Sequence, residues 1–340
     1  MKVLITGGTG YVGSHVTAAA VRAGHDVRLL VRRPEQVAAS LGPLEVTVSD
    51  VVSGDVLDER AVEDAVAGCD AVVHAAAVYS LDPRRVEEMR RTNVHAAELV
   101  LGRSVEGGLD PVVHVSTTVA LTRYGGSGPD LPLGDIESPY AQSKIASEQV
   151  ARRLQDEGAP VVCLYPGGVY GPHDPYRGEQ SERLRWIVNG AFPLWVKGGL
   201  HTTDVRDVAA LAVAVLEAGR GPRRYVVPGH HVDGDLLYGT VAEVTGKRFP
   251  HLDLPGALLS PSTRLIGAVQ GRLPARWRYP ADHEGVEIAR RDTRFDDSAA
   301  REEFGIEPIP FRESVGDTVR WLVSSGRVKR RSLRRVSQAY

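Results

Sequence analysis

The chain is poor in sulfur, with two cysteines and two methionines among 340 residues. Cys69 and Cys163 lie far apart in apolar, strand-like surroundings, so they read as buried thiols in a reducing compartment rather than a disulfide. The 11 histidines show no His-x-x-x-His and no cysteine-linked spacing, so no metal site is expected. Charge of one sign is also missing: 41 basic residues meet 43 acidic ones, and a net charge of -2 gives no global pull toward nucleic acid or membrane. No apolar run approaches the ~20 residues that a bilayer crossing needs. The first apolar strand starts at Lys2, which leaves no space for a signal peptide, and the expected location is cytoplasmic. What is present, 42% hydrophobic and 25% charged residues, suits an enzyme with a large core.

Two motifs about 130 residues apart carry the chemistry. The first, Thr6-Gly7-Gly8-Thr9-Gly10-Tyr11-Val12-Gly13, follows the apolar run Val3-Leu4-Ile5 and precedes a helical stretch from Tyr11 to Ala23. Gly7 permits the tight turn, Gly10 lets backbone N–H groups approach a phosphate, and Gly13 removes a side chain where helix meets sheet. The helix N-terminus adds partial positive charge, so the loop is built for a dinucleotide pyrophosphate. A glycine corner alone is weak evidence; the preceding strand, the following helix and a second strand at Asp26–Val31 give it context. That strand runs into Val31-Arg32-Arg33-Pro34. An acid that would bind a ribose 2′-hydroxyl is missing there, and a guanidinium suits a 2′-phosphate, so NADP(H) is favoured over NAD(H), with Arg32 as the reader. The bland alternative is a pair of solvated loop charges.

The second motif is Tyr140-Ala141-Gln142-Ser143-Lys144, in a predicted helix from Ser138 to Leu154 with Pro139 in its first turn. Four-residue spacing puts Tyr140 and Lys144 on one face. An ammonium beside a phenol lowers the phenol's pKa toward working pH, which would make Tyr140 a proton donor or acceptor. Tyr-x-x-x-Lys is a common accident on helices, but here it follows a strand ending in hydroxyls, Pro111 to Thr118.

These motifs resemble the extended short-chain dehydrogenase/reductase family, of the NAD-dependent epimerase/dehydratase type. The likeness is greatest to its dihydroflavonol-reductase-like group. The resemblance covers nearly the whole chain and includes Gly54-Asp55-Val56-Leu57-Asp58, Asp70 to Ala77, Thr92-Asn93-Val94, Tyr165 to Pro172 and Asp204 to Ala209. It implies a Rossmann-type doubly wound parallel α/β sheet with a smaller interleaved C-terminal substrate lobe. It implies catalysis by Tyr140, Lys144 and Thr117. It also implies cofactor contacts from Gly7, Thr9, Gly10, Tyr11, Val12, Gly13, Asp55 and Val56 at the adenine end, Ala75, Ala76, Ala77, Lys144, Tyr165, Gly167 and Val169, with Asn93 on the helix behind the site. Two residues depart from the family pattern. Thr117 stands where a serine is usual, with Thr118 one step away, and Tyr165 stands where relatives often carry arginine.

Strand-like runs near 2–6, 26–31, 45–52, 70–75, 112–117 and 161–165 alternate with helical patterns near 11–23, 58–67, 83–106 and 140–157. That is the pattern of a doubly wound parallel sheet. The dinucleotide-binding domain is therefore 1–165, with 204–228 returning to it; 166–203 and 229–325 form the substrate lobe, and 326–340 a basic tail. That tail reads as a solvated end rather than a lipid or nucleic-acid contact. Tyr79, Thr118, His173 and Trp186 are substrate-contact candidates. A packed tryptophan, with its neighbour Trp195, and a solvated loop histidine are the plain alternatives; His114 reads as core. The expected activity is NADPH-dependent reduction of a ketone or aldehyde, or the reverse alcohol oxidation, on a small-molecule substrate; a homodimer is left open. A nucleotide-sugar epimerase or dehydratase with bound NAD is the second reading, for which Arg183, Arg185 and Lys197 are available bases. A non-catalytic NADP sensor is the third, and the retained Tyr140 and Lys144 speak against it.

Overall fold

The computed structural model describes residues 1–79, 85–126, 130–176, 178–259 and 283–329. Part of the expected substrate lobe, 260–282, and most of the basic tail, from 330 on, lie outside the described residues. The first elements are β1 (Lys2–Thr6), α1 (Tyr11–Arg22), β2 (Asp26–Val31), α2 (Val37–Leu41), β3 (Asp50–Ser53), α3 (Glu59–Val66) and β4 (Ala71–His74). There follow α4 (Val86–Glu106), β5 (Val112–Val115), α5 (Pro139–Asp156) and β6 (Val161–Tyr165). The second half holds β7 (Gly168–Tyr170), α6 (Glu179–Val188), β8 (Leu194–Val196), β9 (Leu200–Asp204), α7 (Val205–Ala214), β10 (Arg223–Val226), β11 (His230–Val232), α8 (Gly234–Thr245) and β12 (Leu252–Leu254). The described chain ends with α9 (His283–Arg291), α10 (Ser298–Phe304) and α11 (Phe311–Ser324).

Seven strands form one parallel sheet in the order β10-β6-β5-β4-β1-β2-β3. Apolar runs such as Val3-Leu4-Ile5 and Val161 to Leu164 are buried on both faces, which an all-parallel sheet covered by helices demands. One face packs Val16, Ala18 and Ala20 of α1 with Val208, Leu211 and Ala212 of α7. The other packs Val62, Ala97, Leu101 and Val150 from α3, α4 and α5. The lobe over the strand ends has its own core, in which Leu184, Ile187, Trp195, Leu237, Val315 and Val319 meet.

The differences from the expected elements have local causes. The third strand pairs over four residues only, because the stretch after the left-handed Glu45 (φ 57) runs without partners until Asp50. The fifth strand stops at Val115, since Thr117 caps a 3-10 turn, Thr118–Leu121, by accepting Val119 N–H at 3.2 Å. Residues 204–228 supply α7 and the edge strand β10 to the first lobe, while 200–204 pair in a separate three-stranded sheet, β11-β9-β7. The expected lobe boundary needs one correction. Ala300 on α10, with Phe304 and Ile306, packs into the α1–α7 face of the main sheet, and Tyr225 Oη donates to Glu303 at 2.6 Å. Residues 298–306 thus belong to the first lobe.

Helix α1 starts where it does because of two glycines. Gly7 holds φ 73, a left-handed turn, and a Cβ on Gly13 would sit 2.1 Å from the Gly7 carbonyl oxygen. Replacing Gly13 by alanine must push α1 off the loop. An overpacking cost of about 1–3 kcal/mol is expected in urea unfolding of the chain, together with loss of dinucleotide binding. An unchanged midpoint and unchanged binding would refute the close-packing account.

Candidate active site

The glycine loop leads into α1 with Gly10 at the N-cap. No side chain caps this end, and the first turn carries no acidic residue. Its amides are therefore open to an anion. Ala76 N–H donates to Thr6 Oγ1 at 3.3 Å, and a Cβ on Gly7 would meet Ala76 N at 2.7 Å, so the β4 end lies against the loop. Thr9 is tied to the α2 region through Ser40 Oγ, which donates to its carbonyl at 3.2 Å. Asp55 Oδ1 accepts Leu57 N–H at 3.0 Å and holds the turn after β3 with Val56 half-buried beside it. Arg32 is exposed past the end of β2. These features fit a dinucleotide: uncapped amides for the pyrophosphate and a cradle no Cβ could share.

Ser138 caps α5 by accepting Ala141 N–H at 3.2 Å, and Pro139 sets the first turn. Tyr140 is the second residue of the helix, and Lys144, four residues on, shares its face and is 4% exposed. Asn93 on α4 steadies the helix from behind. It donates to Ser143 Oγ and to the Val78 carbonyl, both at 3.0 Å, and accepts Val78 N–H at 2.8 Å.

A cavity of about 240 Å³ opens at this end of the sheet, and Tyr140, Thr117, Thr118, Tyr79, Gly167 and Val169 line it. The Thr117 cap uses an oxygen lone pair, so its hydroxyl hydrogen can still donate to a ligand. The Tyr79 ring stands edge-on to Tyr140 at 4.8 Å, and its Oη donates to Glu179 Oε2 at 3.1 Å.

Electrostatics correct one expectation. Burial, then the charges of Glu284 and Glu179, hold the Tyr140 phenol well above its ordinary pKa rather than drawing it down. Lys144 is lowered to about 8 by burial, against the opposing charge of Glu148. In this state the phenol keeps its proton and the lysine is charged at neutral pH.

Three assigned contacts fall elsewhere. Tyr165 is fully buried in the sheet–helix core and donates to Glu148 Oε1 at 2.6 Å, so its side chain braces α5 instead of touching a cofactor. His173, in a left-handed turn (φ 61), lies 6.4 Å from the His15 ring on α1, outside the cavity lining. Trp186 packs on the small-lobe core with the Arg185 guanidinium 5.4 Å over its ring. Reasoning from motifs missed Glu179 and Glu284, which line the cavity from helices 39 and 144 residues beyond Tyr140. Neither lies in a motif; no local signal marked them.

The sequence profile of the NAD dependent epimerase/dehydratase family matches residues 3–227. Sterol demethylase protein B of Methylococcus capsulatus is 26% identical over 332 residues, covering 96% of this chain and 100% of that protein. A dihydroflavonol 4-reductase-like protein of Synechocystis is 28% identical, covering 96% and 95%. Among solved structures, that of gox2253 superposes with a TM-score of 0.77 at 25% identity over 96% of this chain and 99% of that one. A UDP-glucuronic acid 4-epimerase from Bacillus cereus shares the fold, with a TM-score of 0.74 at 17% identity over 96% and 100%. With the glycine loop, the Tyr140/Lys144 helix and a profile spanning most of the chain in agreement, this chain belongs to the NAD dependent epimerase/dehydratase family and is an NAD(P)-dependent enzyme of the extended short-chain dehydrogenase/reductase type.

Proposed function

We propose that the protein reduces a ketone or aldehyde with NADPH, or runs the reverse alcohol oxidation. The observation that carries this reading is Tyr140, a phenol that keeps its proton, facing one cavity with the hydroxyl of Thr117. A bound nicotinamide nucleotide supplies the hydride for the carbonyl carbon. Thr117 donates a hydrogen bond that polarises the carbonyl oxygen, and Tyr140 transfers its Oη proton to that oxygen as the alcohol forms. Lys144 offers its ammonium to a ribose hydroxyl and to the phenolate left behind. Val31 stands where an acid would read a 2′-hydroxyl, and Arg32 follows it, which supports NADP(H).

The nucleotide-sugar reading is less well supported. Of its three expected bases, Arg183 alone lines the cavity. Its guanidinium binds Gln180 Oε1 at 2.6 Å and Glu179, and it lies 5.4 Å over the Trp195 ring. Arg185 pairs with Glu182 at 2.7 Å, and Lys197 is exposed. Relatives named as reductases, such as the 2-alkyl-3-oxoalkanoate reductase of Stenotrophomonas maltophilia, agree with the preferred reading.

An NADPH-oxidation screen over ketones and aldehydes, with nucleotide sugars as controls, tests the class. A reductase consumes one NADPH per product; an epimerase shows no net absorbance change. On a true substrate, Tyr140→Phe should lower kcat by about 10²–10⁴-fold while NADPH still binds. Thr117→Val should cost less than that but more than Thr118→Val. A fully active Tyr140→Phe removes the assignment.

Lys144 is charged below pH about 8 and neutral above it. Calorimetric NADPH affinity should therefore decline as pH rises past about 8, and Lys144→Met should flatten that limb. A limb that persists in the variant belongs to another group.

For the ribose end, Arg32→Ala removes one charge-assisted phosphate contact worth about 1.5–3 kcal/mol, so NADPH binding should weaken about ten- to a hundred-fold. NADH binding should barely change. Tighter wild-type binding of NADH than of NADPH overturns the preference.

A further inference from the structure

One row of the sheet face that α5 covers is polar, where a sheet core is ordinarily apolar. Thr6, His74, His114 and Cys163 are register neighbours on β1, β4, β5 and β6. Side chains alternate along a strand, and Leu4, Val72, Val112 and Cys163 lie in the core cluster under α3, α4 and α5. Thr6, His74 and His114 each come two residues after a member of that cluster, so they face the same helices. Thr6 Oγ1 and His74 Nδ1 share a hydrogen bond at 2.7 Å, and the His74 and His114 rings stack with centroids 5.7 Å apart at 20°. The hydrogen bond fixes His74, and the stack fixes the plane of His114.

His114 is 2% exposed, and among the described residues neither of its ring nitrogens has a hydrogen-bond partner. Polar atoms buried without partners cost stability, and a phenylalanine would fill this place without that cost. Packing alone therefore does not explain an imidazole here. The charge that acts on both rings is the Lys144 ammonium on α5. Burial, then that charge, lowers His74 to about 3. Burial, then Lys144, then His74, holds His114 well below the usual histidine range. Both imidazoles are thus neutral, and a neutral imidazole keeps one acceptor nitrogen. The other groups that act on Lys144 are Glu148 on its own helix and Cys163 on β6, a thiol that burial keeps protonated.

An ammonium has three N–H donors, and a ribose hydroxyl and the Tyr140 oxygen account for two of those on Lys144. We propose that His114 is a positioning residue: one of its ring nitrogens accepts the third N–H of Lys144 in the dinucleotide-bound protein and so aims the ammonium. This rests on the ribose and phenolate roles given to Lys144 above. A hydrogen bond made to the charged form favours that form, so the bound lysine holds its proton to higher pH with His114 than without it.

The test is calorimetry on the full chain with NADPH and NADH, following whichever the wild type binds more tightly. His114→Phe keeps a ring for the stack and removes both nitrogens. It should weaken binding at neutral pH about tenfold or more, the loss expected for one hydrogen bond to a charged group. The fall in affinity past pH about 8 should become shallower, because the bound ammonium has lost what held its proton. In a Lys144→Met background the same change should cost nothing further. His114→Asn and His114→Gln place an acceptor near Nδ1 or Nε2, and one of them should restore most of the affinity. If His114→Phe does not fold, His114→Leu takes its place against the same pair. A residue that only packs behaves otherwise: His114→Phe raises the melting temperature and binds as the wild type does, or costs equally with and without Lys144, and either result overturns the inference. Weak binding by Lys144→Met beside wild-type binding by His114→Phe overturns the inference alone and leaves the third donor to Glu148, whose Oε2 is also without a partner among the described residues. Wild-type binding by Lys144→Met overturns the ribose role of Lys144 and this inference with it.

Discussion

A buried ammonium is the constraint around which this site is assembled. Lys144 is almost without solvent, and taking a lone ammonium out of water costs several kcal/mol unless opposite charge compensates. Glu148, one turn further along α5 and 0% exposed, supplies that charge. It has to be stabilised in turn: its Oε1 accepts Tyr165 Oη–H at 2.6 Å and Arg152 Nε–H at 2.9 Å. Arg152 then donates to the Leu131 carbonyl at 2.6 Å. Lys144, Glu148 and Arg152 thus carry alternating charge along α5, and the partners of Glu148 and Arg152 fasten α5 to β6 and to the loop before α5.

A second polar network fastens the small lobe. Asp204 caps α7 by accepting Arg206 N–H at 2.9 Å and receives Ser314 Oγ–H at 2.6 Å from α11. Arg206 reaches Asp317 on the same helix at 2.8 Å. Asp207 accepts Ile309 N–H at 3.0 Å, and burial pushes its carboxyl up to about 7. The Asp204 to Ala209 motif therefore works as a joint between α7 and the C-terminal helix.

How much of this could be read from the residue string followed sequence distance. The parallel sheet, the glycine loop and the Tyr140/Lys144 face were legible because each depends on neighbours within a turn or a strand. Thr117 was legible as a hydroxyl at a strand end, though not that its oxygen also caps a turn. Tyr165 was misplaced because its role depends on Glu148, whose 17-residue separation puts it on another element. His173 lies near His15 on α1 and Trp186 packs on the small-lobe core, contacts that their neighbours in the chain do not signal. The Ser138–Glu284 contact spans 146 residues and has no local signature at all.

The interleaving of the two lobes has a mechanical consequence. The chain leaves the main sheet after β6, returns for α7 and β10, departs again, comes back once more for α10, and then crosses to the small lobe with α11. No single cut frees either lobe. A fragment stopped after β6 would lack β10 and expose the backbone edge of β6, a template for wrong pairing. Several segments of polypeptide tether the cover to the sheet, so the two lobes should melt as one cooperative body.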